Sequence, residues 1–245
     1  MISLVIINWR RTSNVERLVR SYSCYAMIRE ILVVCNSEGV PEVSSSEAHV
    51  VVIRASEDLG LYSRFAAASL ARNRCILLAD DDLLVPEATL QVLHAAWARR
   101  PEIVHGLHGR KVREGYTPGT VYGDVEVVLT RFALVDRRYC AIALSHIDAF
   151  EHLDAEPRGN GEDIILSFVA MDASGVLNRA HRLPHENIPD GCSDDDSVGP
   201  LAIHKRFPRH WEHRSQIVAI CRHRFSHRRF MRLRTLVKRT ASFFF

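Results

Sequence analysis

The sequence lacks the patterns that mark zinc-binding, secreted or membrane-spanning proteins. Its six cysteines are widely spaced and no two form a CxxC pair, so a zinc finger or a thioredoxin-type site has no support. No apolar run approaches the roughly 18–20 residues of a membrane span. The apolar stretch of residues 2–9 has no basic segment before it and no small-residue cleavage site after it, which favours a strand over a signal peptide. We therefore expect a protein of the reducing cytosol.

Acidic residues are nearly missing from the last part of the chain. Residues 201–245 hold 12 Lys and Arg against the single acid Glu212, whereas residues 1–200 hold 20 basic and 28 acidic residues. The total formal charge of +3 thus hides an acidic body followed by a basic segment. The 47% apolar and 25% charged residues are ordinary globular usage, which excludes a collagen-like, mucin-like or disordered chain. The length fits one large domain or two small ones.

Apolar β-rich runs alternate with helical patterns through the first hundred residues. The predicted strands are residues 2–8, 31–35, 50–53 and 75–79. The predicted helices begin at a cap on Ser13 or Asn14, at residue 63 (ending at 72), and with Pro86 in a first turn. This alternation predicts a mostly parallel sheet covered by helices on both sides. Beyond residue 101, short strand candidates at 103–107, 120–122 and 125–129 precede a helix over 163–174.

Three adjacent carboxylates, Asp80, Asp81 and Asp82, follow the apolar run of residues 75–79 directly. In open α/β sheets, ligands bind at the carboxyl ends of the strands. Adjacent carboxylates repel one another unless a cation neutralises them, and Mg2+ or Mn2+ takes oxygen ligands while bridging phosphates. The pattern therefore predicts a metal–diphosphate site. The alternative is a solvated acidic turn that caps the next helix.

Two more acidic segments lie further along the chain. The pair Glu162 and Asp163 follows a Gly-Asn-Gly sequence at the start of a predicted helix. This arrangement is typical of simple helix capping, and equally of carboxylates held at the mouth of a site. The run Asp194–Asp196 lies among Ser and Gly with no strand before it, so we expect a solvated loop there, because metal ligands need a rigid scaffold.

Positive charge and one amide lie near the predicted strand ends. Arg10, Arg11 and Arg64 stand at strand ends or early in helices, where they would meet phosphate, although each alone is more typical of a surface. Asn36 follows the second strand and would either hydrogen-bond a base or ribose or simply form a turn.

In their order along the chain, these segments resemble a GT-A glycosyltransferase, and most closely the exostosin-like members of glycosyltransferase family 64. The resemblance covers roughly residues 1–181, with a weaker extension to about 220. The segments that carry it are IINWRRTSNVERLVRSY, ILVVCNS, LGLYSRFAAASL, ILLADDDLLVPEATLQVLHAAWARRPEIVHGL and GNGEDIILSFVAMDASG. It implies an α/β, Rossmann-like GT-A fold: a mostly parallel sheet flanked by helices, a small acceptor-side subregion and a basic C-terminal helical tail. Residues 1–100 would bind the nucleotide-sugar, 101–212 would form the acceptor-binding and catalytic half, and 213–245 the basic tail.

The resemblance also implies roles for individual residues on the donor side. Family members bind a UDP-sugar with Mn2+, so a UDP-sugar donor and Mn2+ or Mg2+ are implied here. The implied metal ligands are Asp82 and Asp80. The residues implied to contact the uridine, ribose, diphosphate or sugar of the donor are Arg11, Asn36, Arg64, Asp80 and Asp81.

On the catalytic side, Asp163 matches the family's carboxylate beside the anomeric carbon, and Glu162 stands where the family pattern has another Asp. The resemblance implies transfer with retention, in which Asp163 stabilises an oxocarbenium-like centre or orients the acceptor. In the inverting alternative, Asp163 is the general base. The family's basic residue on the diphosphate has several candidate matches, which are His204, Arg206, Arg209 and Arg214.

The basic segment predicts contact with a membrane surface. Residues 213–239 interleave apolar side chains with Arg and His, which is typical of a basic amphipathic helix on anionic lipid. The alternative is a terminal helix packed on the domain with a solvated basic face. Because the sequence shows no membrane stem, we expect a bacterial, cytoplasmic enzyme of polysaccharide biosynthesis. It would be held peripherally at the inner face of the plasma membrane and would act on a glycan or lipid-linked acceptor.

Two other classes of protein share parts of this pattern. A nucleic-acid-binding module would use the basic segment for phosphate contacts. It leaves the strand-end acids unexplained and the body is acidic, so no nucleic-acid partner is expected. A Mg2+-dependent nucleotidyltransferase or phosphohydrolase also uses strand-end acids, but these classes usually need a Gly-rich phosphate loop or a Gly-Thr after the acids. Here Leu83 and Leu84 follow.

Overall fold

A computed structural model describes residues 1–36, 39–112, 115–149, 159–188 and 207–241, without the side chains of 149 and 226–241. The strands are β1 (Ile2–Asn8), β2 (Ile28–Cys35), β3 (His49–Arg54), β4 (Cys75–Ala79), β5 (Leu83–Leu84), β6 (His105–Gly106), β7 (Gly109–Arg110), β8 (Gly123–Val125), β9 (Val127–Val128), β10 (Phe132–Asp136), β11 (Asn178–Ala180) and β12 (Glu186–Asn187). The helices are α1 (Thr12–Ser23), α2 (Ser63–Leu70), α3 (Glu87–Arg99), α4 (Arg137–Leu144), α5 (Glu162–Ser174) and α6 (His210–Ala241), with a 3-10 turn at Ile147–Ala149.

Eight of the strands form one sheet in the order β3-β2-β1-β4-β10-β6-β11-β8. The β3-β2-β1-β4 block is parallel throughout. Strand β10 is antiparallel to both β4 and β6, β11 is parallel to β6, and β8 is antiparallel to β11. Two small antiparallel pairs, β12-β5 and β7-β9, lie beside the sheet. This confirms the predicted mixed α/β fold with a mostly parallel sheet flanked by helices.

Strands β1, β2 and β4 are buried on both faces because they are apolar at nearly every position, whereas the edge strand β3 is only partly buried. Along β1, Leu4 and Ile6 pack into one core, while Val5 and Ile7 pack into the other. This division follows from the alternation of side chains along a strand. The first core lies under α1 and α3, and the second lies under α2, α4, α5 and the start of α6. Helices therefore cover both faces of the sheet.

The strand registers place the ends of several strands at the same edge of the sheet. Asn8 at the end of β1 pairs with Cys35 at the end of β2, and Ile6 pairs with Ala79 at the end of β4. Strand β10 enters beside this edge in the opposite direction, and the Asp80 amide donates to the Arg131 carbonyl at 2.9 Å. The residues that follow β1, β2 and β4 therefore lie close to the residue that precedes β10.

Several local predictions are wrong in detail. Helix α1 begins at Thr12, with Arg11 in the cap position and no side-chain cap, so neither Ser13 nor Asn14 caps it. Helix α2 ends at Leu70, because Ala71 adopts an extended conformation. Residues 120–122 form no strand and contribute only an isolated bridge between Gly109 and Val121.

The C-terminal helix begins inside the folded body. Helix α6 starts at His210, so the predicted boundary at residue 213 falls within it. Ile217, Val218 and Cys221 are buried in the core that also contains α5. No described helix combines the length and apolar character required to cross a bilayer. The first turns of α6 therefore belong to the domain.

Candidate active site

A cavity of about 790 Å³ lies at the carboxyl edge of the parallel block. It has walls from the ends of β1, β2 and β4, from the start of α5 and from the start of α6. All eight residues that the sequence singles out as catalytic, donor-binding or metal-binding line it, namely Arg11, Asn36, Arg64, Asp80, Asp81, Asp82, Glu162 and Asp163. The fold thus brings together residues that are distributed over about 150 positions of sequence.

Each carboxylate of the acidic triplet pairs with an arginine from a different part of the chain. The pairs and their N–O distances are Asp80 with Arg64 at 3.0 Å, Asp81 with Arg11 at 2.7 Å and Asp82 with Arg131 at 3.0 Å. Asp81 is only 9% exposed, whereas the side chains of Asp80 and Asp82 are 34% and 26% exposed. The acids stand inside a cavity wall, in a network of fixed charges.

The arginines do not fully offset the crowding of negative charge. Burial raises the pKa of Asp81 to about 6, against the attraction of Arg11, and the neighbouring carboxylates raise it further. Burial and then the charge of Asp80 raise the pKa of Asp82 above its ordinary value. A cation bound here would therefore stabilise the ionised form of these carboxylates.

The donor set suits a cation that shares its coordination with a phosphate ligand. Within the described residues, no three His, Cys, Asp or Glu side chains surround a common metal position. Mg2+ usually keeps one or two carboxylates and completes its coordination with substrate phosphates and water. Asp82 and Asp80 provide oxygen donors of the kind that Mg2+ and Mn2+ prefer. The residues therefore fit a metal–diphosphate complex better than a site that holds the ion alone.

The Glu162 carboxylate lies between two neighbours at the start of α5. The Thr130 hydroxyl donates to Glu162 at 2.7 Å, and Arg64 lies 3.9 Å from the same oxygen. Burial and then the charge of Asp163 raise the pKa of Glu162 to about 6. Because Arg64 also pairs with Asp80, this arginine links the acidic triplet to the Glu162–Asp163 pair.

Asp163 is held by an arginine from the C-terminal helix. Arg214 Nη2 donates to both Asp163 carboxylate oxygens at 2.7 and 2.5 Å, and Arg214 Nη1 donates to Asn160 Oδ1 at 3.0 Å. The guanidinium lies 4.4 Å from the centre of the Tyr116 ring. Burial lowers the pKa of Arg214, but the attraction of Asp163, Tyr116 and Glu162 together outweighs it and the net shift is upward. Asp163 therefore stands in a fully buried, paired environment.

Of the four candidate basic residues for the diphosphate, the structure places Arg214 in the cavity. Arg209 is exposed and forms an ion pair with Glu212 at 2.9 Å. His204 and Arg206 lie outside the described residues, as does the acidic run of residues 194–196.

The amide of Asn36 is held with its oxygen unpaired. Asn36 Nδ2 donates to the Gly60 carbonyl at 2.9 Å and to Ser63 Oγ at 3.0 Å. Its Oδ1 atom is buried and has no hydrogen-bond partner among the described residues. An unpaired buried acceptor costs free energy, so this oxygen is suited to an N–H or O–H donor of a ligand.

Among the residues of the cavity wall that sequence reasoning missed are Thr130, Arg131 and His108. Burial, and then the positive charge of Arg131, lower the pKa of His108 to about 4, so its imidazole is neutral near pH 7. Its Nδ1 atom is buried without a partner among the described residues. The one available signal was the position of Thr130 and Arg131 directly before the apolar run of β10. The remaining contacts of the cavity wall join residues that are too distant in sequence to be read as a motif.

Comparison with protein families decides the family. Residues 2–240 match the Glycosyl transferase family 64 domain. The chain belongs to this family.

The curated relatives are plant proteins much longer than this chain. It is 26% identical over 224 residues to glucosamine inositolphosphorylceramide transferase 1 of Arabidopsis thaliana, covering 88% of this chain and 28% of that protein. The protein of the same name from Oryza sativa subsp. japonica is 26% identical, with 85% and 28% covered. Glycosyltransferase family protein 64 C3 of Arabidopsis thaliana is 25% identical over 179 residues, with 64% and 54% covered. The chain thus spans only 28% of the length of the first two proteins.

Solved structures show a partial likeness in fold. The mannosyltransferase PcManGT from Pyrobaculum calidifontis, in complex with GDP-Man and Mn2+, has a TM-score of 0.49 at 12% identity, covering 74% of this chain and 54% of that one. TarS from S. aureus has a TM-score of 0.47 at 13% identity, with 78% and 35% covered. At these scores the likeness carries no conclusion about ligands.

Proposed function

We propose that this family 64 domain is an active glycosyltransferase of the exostosin-like, GT-A type. It moves a sugar from a UDP-sugar to a glycan or lipid-linked acceptor, uses Mn2+ or Mg2+, and retains the anomeric configuration. The observation that carries the proposal is the single cavity lined by both carboxylate groups, Asp80–Asp82 and Glu162–Asp163, with arginines between them. A metal–diphosphate complex needs the first group, and chemistry at the adjoining anomeric carbon needs the second.

The donor diphosphate would lie against the arginines of the cavity wall. Arg11 and Arg64 both line the cavity, and each pairs with a different carboxylate of the acidic triplet. Fixed guanidinium groups stabilise charge that develops on a leaving diphosphate, and they need no reorganisation during the reaction. Asn36 Oδ1 would accept a hydrogen bond from the uridine.

Asp82 and Asp80 would hold the divalent cation. When bound, such an ion offsets charge on the departing diphosphate and orients it. Arg64 contributes positive charge at the same place, because it pairs with Asp80 and lies 3.9 Å from Glu162. In this proposal, Glu162 positions Arg64 and Asp163 faces the anomeric carbon.

The environment of Asp163 favours retention over inversion. An inverting enzyme needs a general base with an oxygen free to take the acceptor proton. Both oxygens of Asp163 accept hydrogen bonds from Arg214. Neither oxygen is then free to take the acceptor proton, whereas the carboxylate group can still stabilise a positively charged anomeric centre. We therefore propose an electrostatic role for Asp163.

The first experiment is a thermal-shift panel of UDP-sugars with Mn2+, because a ligand that binds only the folded state raises apparent stability. The names of the plant relatives direct the panel to hexosamine donors and lipid-linked acceptors first, followed by hexuronic acid and hexose donors. Transfer is then measured as UDP release. Release of pyrophosphate or inorganic phosphate instead would indicate a nucleotidyltransferase or phosphohydrolase.

Two variants test the residue roles. Asp82→Ala should lose metal-dependent transfer, and Asp163→Asn should bind donor but turn over very slowly. Asp124→Asn is the control, because it removes an exposed carboxylate paired with Arg179 outside the cavity. Full activity of Asp82→Ala in the presence of a chelator would remove the metal from the proposal. The anomeric proton of the product, followed by NMR, decides the stereochemistry, and a β-linked product from an α-linked donor would contradict retention.

We also propose a cytoplasmic protein whose basic segment contacts an anionic membrane peripherally. The support is the ratio of 12 basic residues to one acid over residues 201–245, together with a helix that runs on to Ala241. Anionic leaflets attract such segments. Co-sedimentation with vesicles that contain phosphatidylserine should recover the full chain at low salt, and vesicles of neutral lipid should not. Equal recovery with both, or none with either, would reject membrane contact.

A further inference from the structure

Arg131 ties the two predicted metal ligands to a third element of the fold. Its Nε atom donates to Asp82 Oδ1 at 3.0 Å, and its carbonyl accepts from the Asp80 amide at 2.9 Å. Its Nη2 atom donates to Asn187 Oδ1 at 2.7 Å, and the Ile188 amide next to Asn187 donates to the Asp82 carbonyl at 2.8 Å. The guanidinium is thus held from one side by the acidic triplet and from the other by β12.

The Arg131–Asp82 pair is the one in the triplet that can exchange partners. The Arg64 side chain is 4% exposed and the Arg11 side chain 11%, whereas Arg131 is 25% exposed and its partner Asp82 is 26% exposed. A buried pair is costly to break, because its partners lose solvent and each other together. An ion pair with water access on both sides is weaker and more easily replaced.

A cation at Asp82 and the guanidinium of Arg131 compete for the same carboxylate. Asp82 Oδ1 accepts from Arg131, and Asp82 Oδ2 lies 3.9 Å from Arg11. A divalent ion that takes Asp82 as a ligand brings a second positive charge to a carboxylate that Arg131 already neutralises, so the ion and the guanidinium repel each other there. The guanidinium, still anchored on Asn187 Oδ1, then pairs less well with Asp82 and has positive charge to offer to another anion in the cavity.

We propose that Arg131 is an exchangeable cation that makes metal and donor binding cooperative. Without metal it holds Asp82, and when the metal takes Asp82 the guanidinium moves to the donor diphosphate. The inference rests on the proposed function, which supplies the metal and the diphosphate. The diphosphate of the nucleotide thus replaces Asp82 as the anionic partner of Arg131. Because coupling between two binding sites is reciprocal, the metal and the nucleotide each raise the affinity for the other by the same factor. Arg131 is in this sense a positioning residue for both ligands.

The test measures Mn2+ binding by the free-Mn2+ signal in electron paramagnetic resonance, with and without UDP. In the wild type, UDP should tighten Mn2+ binding by about 5- to 150-fold, the usual range of coupling between sites. In Arg131→Gln, Mn2+ should bind about 5-fold or more tightly without UDP, and the effect of UDP should shrink. In the presence of Mn2+, UDP should bind Arg131→Gln more weakly than it binds the wild type, and this difference should be smaller without Mn2+.

Two further variants make the result independent of folding defects. Asn187→Ala removes the second anchor of Arg131 from an exposed strand, so it should shift Mn2+ affinity in the same direction by a smaller factor. Arg179→Gln is the matched control, because it removes an exposed arginine–aspartate pair of the same 3.0 Å length outside the cavity. Its Mn2+ and UDP binding should equal those of the wild type.

The outcomes separate this inference from the function on which it rests. The exchange is overturned if the Mn2+ affinity is unchanged or weaker in both Arg131→Gln and Asn187→Ala. In that case, loss of Mn2+ binding in Asp82→Asn would still support the metal site. If Asp82→Asn binds Mn2+ as the wild type does, or if the wild type binds no Mn2+ in the presence of UDP, the metal assignment fails and the exchange fails with it.

Discussion

Arg214 donates from one guanidinium nitrogen to both carboxylate oxygens of Asp163, across a sequence separation of 51 residues. The two side chains are only 7% and 5% exposed, so the pair stands away from solvent. It also fastens α6 to the start of α5, where the Glu162–Asp163 pair lies. One interaction therefore serves the packing of the C-terminal helix and the charge state of the site.

Breaking this pair from one side should destabilise the fold strongly. Arg214→Met leaves a buried carboxylate unpaired, and we expect a loss of about 3–5 kcal/mol in the free energy of unfolding. Arg214→Met combined with Asp163→Leu should recover much of that loss, because neither member of the pair is then left buried without its partner. Urea unfolding measures both. Arg209→Met, which breaks an exposed pair in the same region, should change little, and an equally small effect of Arg214→Met would contradict this account.

Gly161 should tolerate no side chain. Its φ of 104° lies in the left-handed region, and an added Cβ would clash with Ile217 of α6. Gly119 is a matched control, because its φ of 102° imposes the same strain while no atom lies within 4 Å of its Cβ position. Gly161→Ala should cost about 1–3 kcal/mol more than Gly119→Ala in urea unfolding, because only it overpacks the core. Equal costs would show that α6 gives way without penalty.

The stability of the protein should fall with rising pH through the titration of Glu162. Burial and the charge of Asp163 raise its pKa from 4.5 to about 6, so between these values the folded state holds a proton that the unfolded chain has released. Stability from this group is therefore present at low pH and is lost as pH rises through 6. Relative to Glu162→Gln, the wild type should lose about 2 kcal/mol between pH 4 and 7.

Unfolding free energies at both pH values check this prediction. Glu47→Gln, on an exposed loop, is the control and should follow the wild type at both values. A constant difference between the wild type and Glu162→Gln across the range would show that Glu162 titrates normally in the fold.

Under the proposed function, the unpaired Oδ1 of Asn36 should require an N–H group on the base. Uracil offers its N3–H, so UDP should bind more tightly than the same nucleotide methylated at N3. The expected difference is about 5- to 150-fold, corresponding to the 1–3 kcal/mol of an unsatisfied buried polar group. Asn36→Ala should flatten the difference, and calorimetry measures all four combinations. Equal binding of both nucleotides to the wild type would remove Asn36 from base recognition.

The strand-end part of the site was predictable because it depends on local patterns. The run of residues 75–79 predicts a buried strand, and a buried parallel strand presents its next residues at a ligand-binding edge. The same reasoning located Asn36, the start of a predicted helix pointed to Asp163 and Arg64, and the family resemblance added the roles of these two residues. These residues belong to motifs that can be read within about 15 positions of sequence.

The rest of the site depends on contacts that no local pattern encodes. Arg131 meets Asp82 because β10 enters the sheet antiparallel to β4, and the sequence predicted no strand order there. Arg214 was one of four basic candidates, and only the packing of α6 on α5 separates it from exposed Arg209. The predicted cap of α1 was also wrong. Asn14 is of a residue type that often caps helices, but here it is buried within the first turn of the helix.

The origin of Arg214 in α6 has a consequence for synthesis of the chain. A ribosome that has released residues 1–209 has already made the whole parallel block, both carboxylate groups and most of the core. The nascent chain still lacks the partner of Asp163 and the helix that covers α5. All strands of the sheet are therefore synthesised before the pocket is complete, and a product truncated ahead of His210 would lack both the partner of Asp163 and the buried residues Ile217, Val218 and Cys221. The site is therefore complete only after the ribosome has synthesised α6.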